Sequence, residues 1–251
     1  MRGVLIIFKK ELAAQFRGMS FWFAASFLIF LEGYLLVLNL VAFGDQRIIF
    51  GGSAGADFNT QMIEPMIQES GFLVLLLLPF FTASLFAQEK REGTLECLVS
   101  QPVGANAIVW GKWAAATLTL FLAAALPKAG LAWLSLQGGV DLRHLAAGLL
   151  GILLLCGAMV ALGLFVSSLT DSVVFAFAFT LLAGIGLWIV GFLGQISFDP
   201  SSRLLGTLSL ADRLNSFSTG FVAVEDIVFL ATFAILWIFL TRRSLEAQGW
   251  T

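Results

Sequence analysis

The sequence predicts an all-α integral membrane protein with six transmembrane helices. Of its 251 residues, 59% are hydrophobic and only 12% are charged, and the mean hydropathy is +0.95. A soluble domain carries about 25% charged residues, so this chain has too few to cover a globule of its size with a hydrated surface. The low charge, with a net charge of -2, excludes ordinary soluble enzymes, disordered proteins and nucleic-acid binders with a basic face.

Six apolar segments are long enough, or nearly so, to cross a bilayer, which takes about 20 mostly apolar residues. The segments are continuous rather than alternating, which favours helices over a β-barrel. The second is at the lower length limit and is expected to extend at either end. Only three residues separate the fourth and fifth, which predicts a tight antiparallel hairpin. The predicted spans, all within one domain of residues 1–251, are 20–43, 71–87, 108–136, 145–169, 173–193 and 223–240.

An amphipathic helix is predicted over residues 4–17, before the first span. Leu5, Phe8, Leu12 and Phe16 share one helical face, and Lys10, Glu11 and Arg17 fall on the others. Such a helix lies along the membrane surface, with its apolar face in the interface. The alternative is a polar leader that contains these apolar residues by chance.

Lysine and arginine are distributed unequally between the two sides of the predicted bundle, which indicates that both termini face the cytoplasm. The side assigned to the cytoplasm has nine of the fourteen cations: Arg2, Lys9, Lys10, Arg17, Lys90, Arg91, Lys112, Arg242 and Arg243. The opposite side has four: Arg47, Arg143, Arg203 and Arg213. On that outer side, residues 44–70 are predicted to be helical near 61–68. The semi-polar segment 194–222 is predicted to form short or re-entrant helices against the bundle.

The loop between the second and third spans, residues 88–104, is the most charged stretch of the chain. It reads QEKREGTLECLVSQPVG and predicts a short helix with one apolar side, which ends before Pro102. Such a helix on the cytoplasmic face is suited to docking a soluble partner. A solvated turn whose charges mark the membrane boundary is the equal alternative from periodicity alone.

This loop resembles that of ABC-2 type transporter permeases, in which E-x-x-x-G-T-L-E is followed by L-x-x-x-P-V and then by G-K. Here the matching segments are 89–96, 98–103 and 111–112. The resemblance extends over the whole chain, including the K-K-E-L of residues 9–12. The small size and residues 209–226 are similar to the gliding-motility-associated branch of small ABC-2 permeases.

The resemblance implies that the short loop helix is a coupling helix in a groove of a separate ATPase subunit, which binds ATP and magnesium. Its contact residues would be Glu89, Arg91, Thr94 and Glu96, and Lys90, Gly93 and Pro102 complete the implied ATPase-coupling set. The N-terminal helix would brace the same ATPase. The resemblance further implies an exporter in the inner membrane of bacteria, a homodimer or a pair with a related subunit, and a path bordered by the first and fifth spans.

The chain itself lacks the motif for ATP hydrolysis. A P-loop requires G-x-x-x-x-G-K-[ST], whereas Gly104 and Gly111-Lys112 have a longer spacing, and Trp113 replaces the hydroxyl residue. We therefore expect no catalytic residue and no cofactor in this chain. Two cysteines and one histidine predict no metal site.

Two alternative functions come from other protein classes. One is an intramembrane serine hydrolase, because Gly51-Gly52-Ser53-Ala54-Gly55 matches G-x-S-x-G and His144 is predicted on the same side. The pattern occurs in a glycine-rich loop and lacks the strand–turn–helix setting that it needs. The other is a membrane scaffold or channel without an ATPase. A serine-reactive probe separates the hydrolase from a permease.

Two ionisable residues lie inside predicted spans, where such residues are functional candidates. Glu32 is close to the predicted midplane of the first span, as a candidate for the translocation path or for a structural pairing with Lys128 or Asn39. For Lys128, in the outer third of the third span, we expect the side chain to extend outward to the interface.

Overall fold

The computed structural model describes residues 2–49, 59–93, 104–131, 141–196 and 209–247. Within these ranges the chain is helical throughout, with short turns and no β-strand, which confirms the predicted fold class. The nine α-helices of the described ranges are α1 Arg2–Arg17, α2 Met19–Ile49, α3 Glu64–Thr82, α4 Ser84–Arg91, α5 Ala105–Ala125, α6 Leu142–Leu169, α7 Val173–Ile196, α8 Leu210–Ser218 and α9 Val224–Ala247.

Six helical segments are long and apolar enough to cross a membrane, as predicted. They are Phe21–Ala42, Gln61–Arg91, Ala105–Leu131, Leu142–Leu169, Val173–Val190 and Val224–Ala247. The second is much longer than the predicted 71–87. Glu69 and Ser70 interrupt its hydropathy but not its helix, because both side chains bond to groups of α2 inside the bundle.

Helix α6 is the centre of the bundle and packs against α3, α5, α7, α8 and α9. Most of α3 and α6 is buried, whereas α2, α7 and α9 expose most of their apolar surface at the periphery. Apolar side chains on peripheral helices are stable where they face lipid or another membrane helix. A turn of three residues joins α6 to α7, and the two helices pack together as the predicted hairpin.

The two ends of the bundle differ in charge. The end that we call the basic end holds the cations of α1, of α4, of the first turns of α5 and of the end of α9. The C-terminal part of α9 reaches this end, because Trp237 stacks on Phe165 near the end of α6, with ring centroids 5.0 Å apart.

At the opposite end, α8 is a short amphipathic helix that covers the bundle. Its N-terminal cap is Ser209, whose hydroxyl accepts a hydrogen bond from the Asp212 amide at 3.1 Å. Leu210, Leu214 and Phe217 are buried against α3, α6 and α7. The helix agrees with the prediction of short helices packed on the bundle here. The re-entrant path predicted for 194–222 stays a prediction, since residues 197–208 lie outside the described ranges.

The close packing of α8 on α6 depends on Gly151. A Cβ atom at this position would lie 2.6 Å from Cβ of Phe217, so a side chain forces the two helices apart. We expect Gly151→Ala to lower the free energy of unfolding in detergent by about 1–3 kcal/mol. Gly186→Ala in α7 is the matched control, because its Cβ would have no neighbour within 4 Å. Equal stability of the two variants would contradict this packing.

Candidate functional site

Helix α1 packs along the first turns of α5, at the basic end. Ile7 is its most buried residue and lies against Gly111, where a Cβ atom would be 2.8 Å from Cγ2 of Ile7. The absence of a side chain at Gly111 therefore allows the two helices to touch.

The residues predicted for the apolar face of α1 are not placed alike. Phe8, Leu12 and Phe16 are half-buried, whereas Leu5 is 54% exposed. The face of α1 that packs on α5 is centred on Ile7 and Glu11, because Ile7 contacts Gly111 and Glu11 bonds to Lys112. The location of α1 along the membrane surface stays a prediction.

The ammonium group of Lys112 joins three helices at this point. Its Nζ lies 3.2 Å from Oε1 of Glu11 in α1 and 2.7 Å from Oε1 of Glu89 in α4. It also donates a hydrogen bond to the carbonyl of Leu85 at 2.9 Å and lies 5.3 Å from the ring centroid of Phe86. An ammonium has three N–H donors, and these three oxygens use all of them. We call Lys112, Glu11, Glu89 and Leu85 the Lys112 junction.

Sequence reasoning used Lys112 as a positive charge and as the lysine of the G-K motif, and missed its role at this junction. The available signal was its position inside the predicted third span, since a lysine in a span requires a partner. Its side chain is only 1% exposed. The partners come from distant parts of the chain, so spacing alone did not identify them.

The described part of the predicted coupling segment forms the end of α4. Glu89 turns inward to Lys112, and the Lys90 ammonium donates to the carbonyl of Ser168 in α6. Arg91 is exposed. Gly93 follows the helix with φ of +68°, a left-handed conformation that favours glycine and ends α4. The other predicted coupling residues, Thr94, Glu96 and Pro102, lie outside the described residues.

A cavity of about 570 Å³ opens beside the Lys112 junction, between α1 and α4. Polar and charged side chains of both helices line it, and Phe21 of α2 forms part of its apolar wall. These charged and polar residues are Lys10, Glu11, Gln15, Ser84, Gln88, Glu89, Glu92 and Lys112. The cavity is therefore a polar recess of mixed charge at the basic end.

A second buried ion pair lies deeper in the spans. Oε2 of Glu32 in α2 is 2.6 Å from Nζ of Lys128, and each side chain is 1% exposed. Lys128 also donates to the carbonyl of Ala124, at 2.9 Å, and Ser70 donates to the other oxygen of Glu32, at 2.8 Å. The cluster thus links α2, α3 and the short 3-10 turn Leu126–Lys128 that follows α5.

The pair decides between the two structural partners considered for Glu32: it is Lys128, whereas Asn39 donates to Glu69 at 3.5 Å. The expected outward extension of Lys128 was wrong. Its ammonium bonds to a carboxylate and a carbonyl inside the protein, and these partners replace the water that it would seek at the interface. A role of Glu32 in the translocation path stays a prediction.

The serine hydrolase alternative gains no geometric support. Ser53 lies outside the described residues, and Nε2 of His144 bonds to the backbone carbonyl of Ser218 in α8. A ring nitrogen that donates to a carbonyl carries a proton, so this nitrogen is not available as a general base.

Removing one member of the Glu32–Lys128 pair leaves a buried charge without its partner. We expect Glu32→Gln and Lys128→Met each to lower the free energy of unfolding by about 3–5 kcal/mol. The double variant has no such uncompensated charge and should regain a large part of this loss. Unfolding in detergent micelles measures all three variants, and losses that simply add would contradict a direct pairing.

Comparison with protein families identifies the chain. The family model described as ABC-2 family transporter protein matches residues 5–218, which include most of α1, all of α2 to α8 and the Lys112 junction. Comparison with curated proteins gives no significant match. The suggested gliding-motility-associated branch stays a prediction. Together with six membrane-spanning helices, the match covers most of the chain, which therefore belongs to the ABC-2 transporter family as a multi-pass membrane permease subunit of an ABC transporter.

Proposed function

We propose that this permease couples ATP hydrolysis by a separate cytoplasmic ATPase to export of a substrate, or to transmission of force, across the bacterial inner membrane. ATP and magnesium are bound by that ATPase. The Lys112 junction carries the proposal, because it connects α4, which leads directly into the motif-bearing loop, with α1 and with the third span.

The charge distribution supports a cytoplasmic location of the junction. Nine cations belong to the basic end and four to the other side, as the positive-inside rule expects for a cytoplasmic face. With six spans, both termini lie on this side. The polar recess between α1 and α4 faces the same compartment as the proposed ATPase.

The proposed transmission begins where the ATPase pushes on the loop after α4. Glu89 moves with α4, and its bond to Lys112 carries the displacement to α5. Glu11 carries it to α1 through the same ammonium. Because Lys112 is buried, separating these charges is costly, so the three helices move together.

The peripheral helices support assembly with a second permease subunit. Helices α2 and α7, the first and fifth spans, expose most of their apolar surface. In the proposed dimer these spans meet their counterparts and border the path. Glu32 lies on α2 and, through Lys128, links that helix to the third span.

Charge reversal at Arg91, at the exposed end of α4, and at Glu96, further along the predicted coupling segment, tests the contact with the ATPase. We expect Arg91→Glu combined with Glu96→Lys to abolish co-purification of the ATPase with the tagged permease in mild detergent. Arg143→Glu, at the opposite end of the bundle, is the control and should retain it. Mass spectrometry identifies the partner by a P-loop peptide. Wild-type permease without any such partner would contradict the proposal and favour a scaffold or channel.

The Lys112 junction is tested by comparing two glutamates that each bond to a cation. Glu11→Gln removes a mostly buried contact, so α1 should loosen and its amide hydrogens should exchange about tenfold faster or more. Glu246→Gln removes an exposed pair with Arg242 within α9 and should have little effect. Hydrogen exchange with mass spectrometry measures both, and an unchanged α1 in Glu11→Gln would contradict the junction.

A further inference from the structure

The second span is interrupted where α3 ends and α4 begins. Ala83 lies between the two helices, and Pro79, one turn earlier, is inside α3. Ala83 keeps helical dihedral angles, with φ of −60° and ψ of −36°, so the interruption concerns hydrogen bonding rather than the path of the backbone. Such interruptions occur at proline or where a side chain enters the hydrogen-bond ladder, and they are the points at which helices bend.

The side chain that enters here is Ser167 of α6. Its hydroxyl accepts hydrogen bonds from the amides of Phe86 and Ala87, at 3.1 and 3.0 Å, and donates to the carbonyl of Ala83 at 2.9 Å. In a continuous helix the Ala87 amide would bond to that carbonyl. Ser167 therefore replaces helical hydrogen bonds with bonds to another helix. It is fully buried, and both its donor and its acceptor capacity are used.

Contacts on either side of Ser167 attach the end of α3 and the whole of α4 to α6 and α7. Four residues earlier on α6, Gly163 lies against Thr82, whose Oγ1 would be 2.4 Å from a Cβ atom at that glycine. One residue later, the carbonyl of Ser168 accepts from Lys90. On the α7 side, Ala83 and Ala87 form a small buried cluster with Ala176. Helix α4 is thus attached to both helices of the α6–α7 hairpin.

We propose that the interruption at Ala83 is a hinge and that Ser167 is a positioning residue that fixes α4 to the α6–α7 hairpin. Motion imposed on α4 then passes to the fourth and fifth spans. The angle between α4 and α3, which lies on the N-terminal side of the hinge, changes during this motion. This inference rests on the proposed function, because the ATPase supplies the motion. The bonds at Ser167 persist during bending, since breaking them leaves buried amides without an acceptor.

Distances between spin labels test the attachment in the permease alone. In a background with Cys97→Ser and Cys156→Ala, labels at Gln88→Cys and Val174→Cys report α4 against the hairpin. We expect Ser167→Ala to broaden this distance distribution and to speed amide exchange at residues 86 and 87 about tenfold. Thr119→Val is the control, because its buried hydroxyl bonds only to Ala115 within α5. Unchanged distances and exchange in Ser167→Ala would overturn the proposal.

Two further variants separate attachment from general damage to the fold. Ser167→Thr retains the hydroxyl and should restore the narrow distance distribution. Lys90→Met removes the neighbouring contact with Ser168 and should broaden the distribution without altering the buried hydroxyl.

The hinge itself is tested with the ATPase complex trapped in Mg-ATP. Labels at Gln88→Cys, an exposed residue of α4 outside the proposed ATPase contact, and at Phe72→Cys, about 24 Å apart along the helix at 1.5 Å per residue, report α4 against α3. We expect this distance to change while the distance from α4 to Val174→Cys stays constant. The reverse result would overturn the hinge. Failure to isolate any ATPase complex contradicts the proposed function instead, and the experiments on the permease alone still decide the role of Ser167.

Discussion

A charge that enters the hydrocarbon of a bilayer must find its partner inside the protein, and the arrangement of this bundle follows from that requirement. Two lysines meet it in different ways. Lys128 bonds to one carboxylate within the spans, whereas Lys112 bonds to two carboxylates near the basic end. Each lysine lies on or directly after α5, so the third span is tied to the first span at one depth and to α1 and α4 at another. The remaining helices pack on α6 mainly through apolar surface, and polar contacts such as that of His144 with the Ser218 carbonyl add to it.

Small residues make this arrangement dense enough for such short polar contacts. Gly111 brings α1 onto α5, and Gly163 brings α6 onto the end of α3. Without these close approaches, the oxygens of Glu11 and the hydroxyl of Ser167 would not reach their partners. The specific polar contacts between helices therefore depend on the close helix packing that small residues allow.

The sequence allowed prediction of the features that depend on local composition. The six spans, the hairpin at Asp171 and the charged loop follow from continuous apolar runs and from where the charges interrupt them. The second span extends beyond 71–87 at both ends, as expected, but its start at Gln61 was not located, because Glu69 and Ser70 lower its hydropathy while their partners come from another helix. The inward orientation of the Lys128 side chain was also missed, because its partner Glu32 comes from another helix. Partners contributed by other helices leave no local pattern, so the Lys112 junction and Ser167 required the three-dimensional structure.

The length of α2 has a geometric consequence at the opposite end of the bundle. Its 31 residues extend about 46 Å at 1.5 Å per residue, which exceeds the roughly 30 Å of a hydrocarbon core. The apolar part ends at Ala42, so the last two turns, up to Ile49, rise about 10 Å beyond it. The end of the first span therefore extends past the hydrocarbon into the headgroup layer on that side. A molecule that binds at this face can contact the end of this helix without entering the hydrocarbon.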